Sequence, residues 1–296
     1  MINKTAMITI AGRPNVGKST LTNVLTGEKV AIVTPKPQTT RNRICGVFTH
    51  GDTQMILLDT PGFHKARTRL GDYMVGVIKE SVADVDAVAL MVEPIDNIGT
   101  QEEMLIEHIS KSGVPAVLII NKIDNIRTDQ TLPIIERYSQ RYNFDAIVPI
   151  SAKKGDGIPE LLEIFEKYAQ KGPQLFPEGM ATDQPERQII AEIIREKLLI
   201  CLEREIPHGT AVEITKFSER EEDEIIDVEA TIYCEKKSHK GMIIGKNGAM
   251  LKRVGQLARA DIELFMGTKV FLQTWVKVKE NWRDSKTTLK NFGYVK

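Results

Sequence analysis

The stretch Gly12-Arg13-Pro14-Asn15-Val16-Gly17-Lys18-Ser19 decides the fold of the first half of this 296-residue chain. It fits G-x-x-x-x-G-K-[ST], a phosphate-binding P-loop. An apolar run at residues 6–11 precedes it and reads as a buried strand. Leu21, Val24 and Leu25 follow at helical spacing. Strand, glycine-rich turn and helix are the context the motif needs. Gly12 and Gly17 let backbone N–H groups curl around an anion with no Cβ in the way. The N-terminus of the following helix adds a partial positive charge. Lys18 is placed to reach β- and γ-phosphates, and the Ser19 hydroxyl to bind Mg2+. Arg13, Pro14, Asn15, Val16 and Thr20 complete the candidate cradle.

The chain as a whole sets bounds on this reading. Its length predicts about two domains. With 42% hydrophobic and 27% charged residues, it has the composition of a globular protein. Cys45, Cys201 and Cys234 lie far apart, which excludes a disulfide framework and a CxxC metal site and points to a reducing cytosol. The histidines do not form HExxH. An expected strand within the first few residues leaves no room for a signal peptide. Apolar runs such as residues 114–120 fall short of the roughly 20 residues a membrane span needs.

Further candidate loops follow, the first after the P-loop helix and the others after expected strands. Residues 34–41, with Pro35, Pro37, Thr39, Thr40 and Arg41, form a polar loop in which one threonine can add its hydroxyl to Mg2+. Spacing does not separate Thr39 from Thr40; Thr40 is preferred. Strands at 44–49 and 54–58 lead into Asp59-Thr60-Pro61-Gly62. There Asp59 is a Mg2+-organising carboxylate, and the Gly62 N–H can approach a γ-phosphate. A strand at 87–92, a helix at 102–110 and a strand at 114–120 lead into Asn121-Lys122-Ile123-Asp124. A carboxylate at Asp124 accepts from both N1–H and the exocyclic amine of guanine. Adenine lacks those donors, and a site built around hydrogen bonds rejects an analogue without them. Asn121 can hold the neighbouring loop and meet the base edge, and the Lys122 stem lies along the ring face. A last strand at 146–150 precedes Ser151-Ala152-Lys153, whose backbone can meet guanine O6. Alternating strands and helices imply a parallel sheet covered on both faces, with the nucleotide at the carboxyl ends of its strands.

GRPNVGKS, PQTTR, DTPG, NKID and SAK, in this order, resemble the five G motifs of the translation-factor-related GTPases over about 170 residues. The resemblance implies GTP and GDP as ligands, Mg2+ as cofactor held by Ser19, Thr40 and Asp59, and hydrolysis of GTP, with Lys18 and Thr40 in the catalytic machinery. Phe63 stands where Ras-like proteins carry a water-orienting Gln, so slow intrinsic turnover is expected. The resemblance also allows K+ near Asn15.

Prolines and glycines mark a linker at residues 172–186. Beyond it the expected order is helix, strand, strand, helix, Gly-x-x-Gly, helix, strand. Ile244-Gly245-Lys246-Asn247-Gly248 lies between two helices, with Lys252 just beyond. Two glycines let such a loop pack flat on a nucleic-acid backbone, and lysines supply charge, as in a KH domain clamping about four single-stranded nucleotides. The net charge of zero conceals polarity: residues 236–296 carry fourteen Lys and Arg against four acids, net +10, and residues 219–235 carry eight acids and one Arg, net −7. The acids at 219–224 read as an exposed turn. The basic segment suits phosphates. Trp275, Trp282 and Tyr294 are candidates for stacking on bases, with Trp275 equally suited to a core.

The expected fold class is therefore α/β. A P-loop domain with a mostly parallel sheet and helices on both faces spans residues 1–171. An α+β type II KH domain with a basic C-terminal segment spans residues 187–296. This pairing resembles the Era family of bacterial GTPases, and WVKVKENWR near the end is similar to that family too. The resemblance implies binding near the 3′ end of small-subunit ribosomal RNA and a role in assembly of the small ribosomal subunit. It implies a cytoplasmic protein and allows peripheral contact with the inner membrane. DNA is not an expected partner.

Overall fold

A computed structural model describes residues 2–63, 68–220 and 224–294. The acids Glu221, Glu222 and Asp223 of the expected charged turn lie outside the described residues. The chain divides into two units: Met1–Ala31, Thr40–Ala66 and Gly71–Asp183 form the first, and Ile32–Thr39, Arg67–Leu70 and Gln184–Lys296 the second.

The first unit contains strands β1 (Lys4–Gly12), β2 (Ile44–His50), β3 (Thr53–Asp59), β4 (Ala87–Val92), β5 (Ala116–Ile120), β6 (Ala146–Pro149) and the two-residue β7 (Gln170–Lys171). Its helices are α1 (Lys18–Thr26), α2 (Arg69–Ser81, whose first two residues belong to the second unit), α3 (Thr100–Ser112), α4 (Thr131–Arg141) and α5 (Ile158–Glu166). The strand order is β2-β3-β1-β4-β5-β6, with β7 on β1. Pairing is parallel except for β2 with β3 and β7 with β1.

Side-chain alternation along the strands sorts the helices. Ala6, Ile8 and Ile10 of β1 face Leu21 of α1 and Leu161 and Phe165 of α5. Val88, Leu90 and Val92 of β4, with Leu118 and Ile120 of β5, face Ile78 of α2, Leu105 and Ile109 of α3, and Ile134 and Tyr138 of α4. Two helices thus cover one face and three the other, the doubly covered arrangement that continuous apolar strands require. The sequence reading did not include α2 and α4. Gly71 and Gly76 weaken the helical signal of α2. In α4 only Ile134 and Tyr138 are buried apolar anchors, and Pro133 is tolerated because it lies in the first turn. Residues 175–181, within the expected linker, belong to the first unit: the Gln54 side chain accepts from the N–H groups of Leu175 and Phe176, and Val47 N–H donates to the Ala181 carbonyl at 2.7 Å.

The second unit runs α6 (Glu186–Cys201), β8 (Ala211–Arg220), β9 (Ile225–Cys234), α7 (Lys237–Ile244), α8 (Ala249–Met266), β10 (Lys269–Val278) and α9 (Lys286–Asn291). Its sheet order is β10-β9-β8, with β10 parallel and β8 antiparallel to β9. Ile226, Val228, Ala230 and Ile232 of β9 pack with Ile190 and Ile194 of α6, Ile243 of α7, and Val254, Ala258 and Ile262 of α8. Helices α6, α7 and α8 therefore share one face of the sheet, which makes the unit α+β. Among the described residues no helix is long and apolar enough to cross a membrane.

Candidate functional site

The P-loop is shaped by what surrounds it. Val16 is fully buried in the core and pins the loop's middle. Gly17 adopts φ +109°, and a Cβ there would lie 2.2 Å from Asn121 Nδ2. A Cβ on Gly62 would lie 2.6 Å from Pro14 Cα, so only glycine lets the Asp59–Gly62 turn approach the loop this closely. Lys18 lies at the loop's inner edge, 5% exposed, donating to the carbonyls of Gly12 at 3.2 Å and Arg13 at 2.8 Å. Burial lowers its pKa to about 8, against the opposing pull of the Asp59 carboxylate. An anion entering the loop supplies the counter-charge that burial withholds.

Three oxygen donors converge beside Lys18. Ser19 Oγ donates to Asp59 Oδ2 at 2.6 Å and lies 2.9 Å from Thr40 Oγ1. Asp59 is fully buried, and its Oδ1 has no hydrogen-bond partner. Burial raises its pKa to about 6, partly offset by Lys18 and the Ser19 hydrogen bond. Hard oxygens around an orphaned carboxylate oxygen fit a Mg2+ ion that also takes phosphate and water ligands. The structure separates the two threonines that spacing could not. Thr40 is 7% exposed with its hydroxyl at Ser19, whereas Thr39 Oγ1 donates to the Lys36 carbonyl at 2.7 Å.

The residues after β5 bind three loops together. Asn121 Nδ2 donates to the Val16 carbonyl at 2.7 Å, and its Oδ1 accepts from Ala152 N–H at 2.9 Å. Lys122, at φ +66°, donates to the Asn15 carbonyl at 2.7 Å and pairs with Glu93. Asp124 Oδ1 accepts from Ser151 Oγ at 2.8 Å, and that bond foremost holds its carboxyl below the ordinary range. An ionised Asp124 is the acceptor that a guanine edge needs. Lys153 is exposed.

Sequence reasoning missed Glu93 and Glu102. Both carboxylates grip the Arg13 guanidinium, and Glu102 is 2% exposed. The Arg13 side-chain charge is therefore taken up by these two acids. For Glu102 the available signal was an acid at the start of an expected helix; its burial appears only in the structure. The Phe63 side chain packs against the apolar core beside α2, α3 and α4, while its N–H donates to the Gly12 carbonyl at 3.1 Å. This anchorage is apolar, unlike that of a water-orienting amide.

In the second unit, Gly245 closes α7 with its N–H on the Gly241 carbonyl at 2.8 Å. Gly245, Asn247 and Gly248 have φ of +73°, +51° and +78°. Lys246 and Asn247 are exposed, whereas Ile244 is packed against the core. A groove of about 380 Å³ opens between α8 and β10, lined by Gly248, Leu251, Lys252, Gly255, Gln256, Arg259, Leu272 and Thr274. Gln256 and Arg259 were missed. They extend the Lys252 face by one and two turns, a spacing visible in the sequence. The stacking expectation is corrected for two aromatics. Trp282 is fully buried, donating Nε1–H to the Gly209 carbonyl at 2.9 Å, and Tyr294 stacks on it at 6.2 Å, 5% exposed. A short terminal helix folds them in. Trp275 remains 43% exposed.

Residues 7–122 match the family model for a 50S ribosome-binding GTPase, and residues 205–283 the KH domain. GTPase Era of Ruminiclostridium cellulolyticum is 52% identical over 294 residues, covering 99% of this chain and 98% of that protein. This chain belongs to the Era family of GTPases. Its fold matches a crystal structure of Era with MgGDPNP and nucleotides 1506–1542 of 16S ribosomal RNA at a TM-score of 0.96, with 37% identity over 99% of this chain and 100% of that one. It also matches a variant of Aquifex aeolicus Era bound to GDP and AlF4− at a TM-score of 0.95, with 37% identity and the same coverage. The expected P-loop GTPase with a C-terminal KH domain is thus correct.

Proposed function

We propose that this GTPase binds single-stranded RNA at the 3′ end of small-subunit ribosomal RNA, under control of its nucleotide, and acts in assembly of the small ribosomal subunit. The full-length likeness to an Era bound to MgGDPNP and 16S ribosomal RNA carries this reading. The groove beside residues 245–248 supports it: Lys252 and Arg259 line it and Lys246 is exposed next to it, so all three would meet phosphates.

In the first unit, the P-loop amides and Lys18 would bind the β- and γ-phosphates, and Asp124 would select guanine. Ser19, Thr40 and Asp59 would hold Mg2+, which supplies charge to phosphate oxygens. A γ-phosphate with Mg2+ would add its contacts to the Thr40 hydroxyl, and hydrolysis would remove them. Phe63 gives no hydrogen bond to an attacking water, so intrinsic turnover is slow.

The test is binding of a short RNA matching that 3′ end, with a non-hydrolysable GTP analogue and then with GDP, against a scrambled RNA. Tighter, sequence-dependent binding with the analogue is expected. Equal affinity in both states removes the coupling, because a ligand that does not discriminate two states shifts neither.

A further inference from the structure

The loop before Thr40 is fastened by a buried ionic group that phosphate chemistry does not require. Ile32–Thr39 belongs to the second unit, where it meets α6. Arg195 of α6 is fully buried, and its Nη2 donates to the Thr39 carbonyl. Its Nε donates to Glu192 Oε1 at 2.8 Å, and its Nη1 has no hydrogen-bond partner. Glu196, 3% exposed, accepts from Val33 N–H at 3.0 Å through Oε1 and from Lys197 Nζ at 2.8 Å through Oε2. Lys36 Nζ donates to the Leu202 carbonyl just past the end of α6. The loop is also stiff within itself: the Thr34 and Thr39 hydroxyls lie 2.7 Å apart, and Lys36 N–H donates to Thr34 Oγ1 at 3.1 Å.

We infer that Arg195 is a positioning residue for the GTP state: by holding the Thr39 carbonyl it sets where the Thr40 hydroxyl stands beside Ser19. Thr39 and Thr40 share one planar peptide unit. A guanidinium grips its carbonyl, and the next side chain reaches 2.9 Å from Ser19 Oγ. Little freedom separates the two. Removing a guanidinium from water is costly, and apolar side chains of similar volume stabilise such sites equally well or better. A buried Arg at this point is therefore accounted for by what it positions.

The energetic consequence is selective. GDP has no γ-phosphate and does not use Thr40. A triphosphate with Mg2+ does, so it benefits from a Thr40 already in place. Linkage is reciprocal: whatever alters the hold of α6 on Thr39 alters triphosphate affinity by the same factor that the triphosphate alters it.

The inference rests on Thr40 being a Mg2+ and γ-phosphate contact, and the experiment separates the two claims. Fluorescent GDP and GDPNP are titrated onto the full chain, with Mg2+ varied, for Thr40→Ala, Arg195→Met, Arg195→Lys and Lys36→Met. Arg195→Met is expected to weaken GDPNP about 10-fold and raise the Mg2+ midpoint, with GDP within about 2-fold. Arg195→Lys restores part of the loss because one donor remains. Lys36→Met, a milder change that leaves the buried groups intact, shifts the GDPNP-to-GDP ratio the same way by about 2-fold. If Thr40→Ala leaves that ratio unchanged, the Thr40 assignment is wrong. If Thr40→Ala lowers it while Arg195→Met and Lys36→Met do not, or if they weaken both nucleotides equally, the positioning role is overturned. Should Arg195→Met fail to fold, Lys36→Met and Arg195→Lys decide the matter alone.

Discussion

Two glycine loops in this chain are built for phosphates, and they are built in opposite ways. The loop at residues 12–19 is closed. A Cβ on Gly12 would lie 2.3 Å from the Met91 carbonyl, one on Gly17 would lie 2.2 Å from the Asn121 amide, and Lys18 is 5% exposed. The loop at residues 245–248 is tight at its first glycine and open beyond it: a Cβ on Gly245 would lie 2.7 Å from Met250 Cβ, whereas one on Gly248 meets nothing within 4 Å, and Lys246 is exposed. The closed loop holds a desolvated cation among fixed dipoles, where electrostatic interactions are strong and salt screens little. It suits one compact ligand held in one geometry. The open loop keeps its lysine hydrated, so each phosphate contact is weak and screened. It suits a chain of phosphates that can slide and rebind.

Substituting each loop separates these two designs. Gly17→Ala should have the larger effect. Its φ of +109° and the 2.2 Å approach to Asn121 Nδ2 leave no place for a methyl group, so the loop must shift and carry Val16 and Lys18 with it. Nucleotide affinity should fall about 100-fold or more, the scale of a reactive-site misplacement near 1 Å. RNA binding by the nucleotide-free chain should be unchanged. Near-native GTP binding by Gly17→Ala would show that the loop is less closed than its neighbours indicate. Gly248→Asp comes next. The space there is free, and Asp tolerates a positive φ better than most residues, so the unit should fold with a loss of about 1 kcal/mol. The new carboxylate faces the groove and should weaken RNA about 10-fold. Unchanged RNA affinity with an intact fold would place the RNA elsewhere on the second unit.

The same contrast explains which features were legible in the sequence. The closed loop was readable as a motif, because its geometry permits few sequences: a Cβ on Gly12 or Gly17 would collide with its neighbours, Lys18 is a buried cation and Ser19 supplies a hydroxyl beside Asp59. The strand positions were readable for a similar reason, since β1, β3, β4 and β5 are buried on both faces and read as apolar runs. Helices α2 and α4 were not, because glycines or sparse apolar anchors diluted their period. The groove was half legible. Gly245 and Gly248 declare themselves, but Gln256 and Arg259 line it only because α8 turns that face toward β10. Trp282 shows the opposite failure: an aromatic in a basic segment suggested stacking, and the tertiary fold buried it against Gly209. The strap from Arg195 to Thr39 joins residues 156 positions apart. No local pattern announces such a contact.

Lys246→Ala gives the smallest effect and the sharpest distinction. Its ammonium is exposed, so removing it should cost almost no fold stability. At low salt RNA affinity should drop a few-fold for matched and scrambled sequences alike, because a phosphate contact carries no sequence information. The telling quantity is the slope of log affinity against log salt, which should become shallower by about 0.7 for one lost contact to a single strand. Lys18→Ala has no such signature. Its partner charge is met inside a closed loop, so the loss in nucleotide affinity should persist across the same salt range. If Lys246→Ala instead left the slope unaltered and discriminated between RNA sequences, its side chain would be reading bases. The open loop would then be a second closed site, formed only once RNA has covered it.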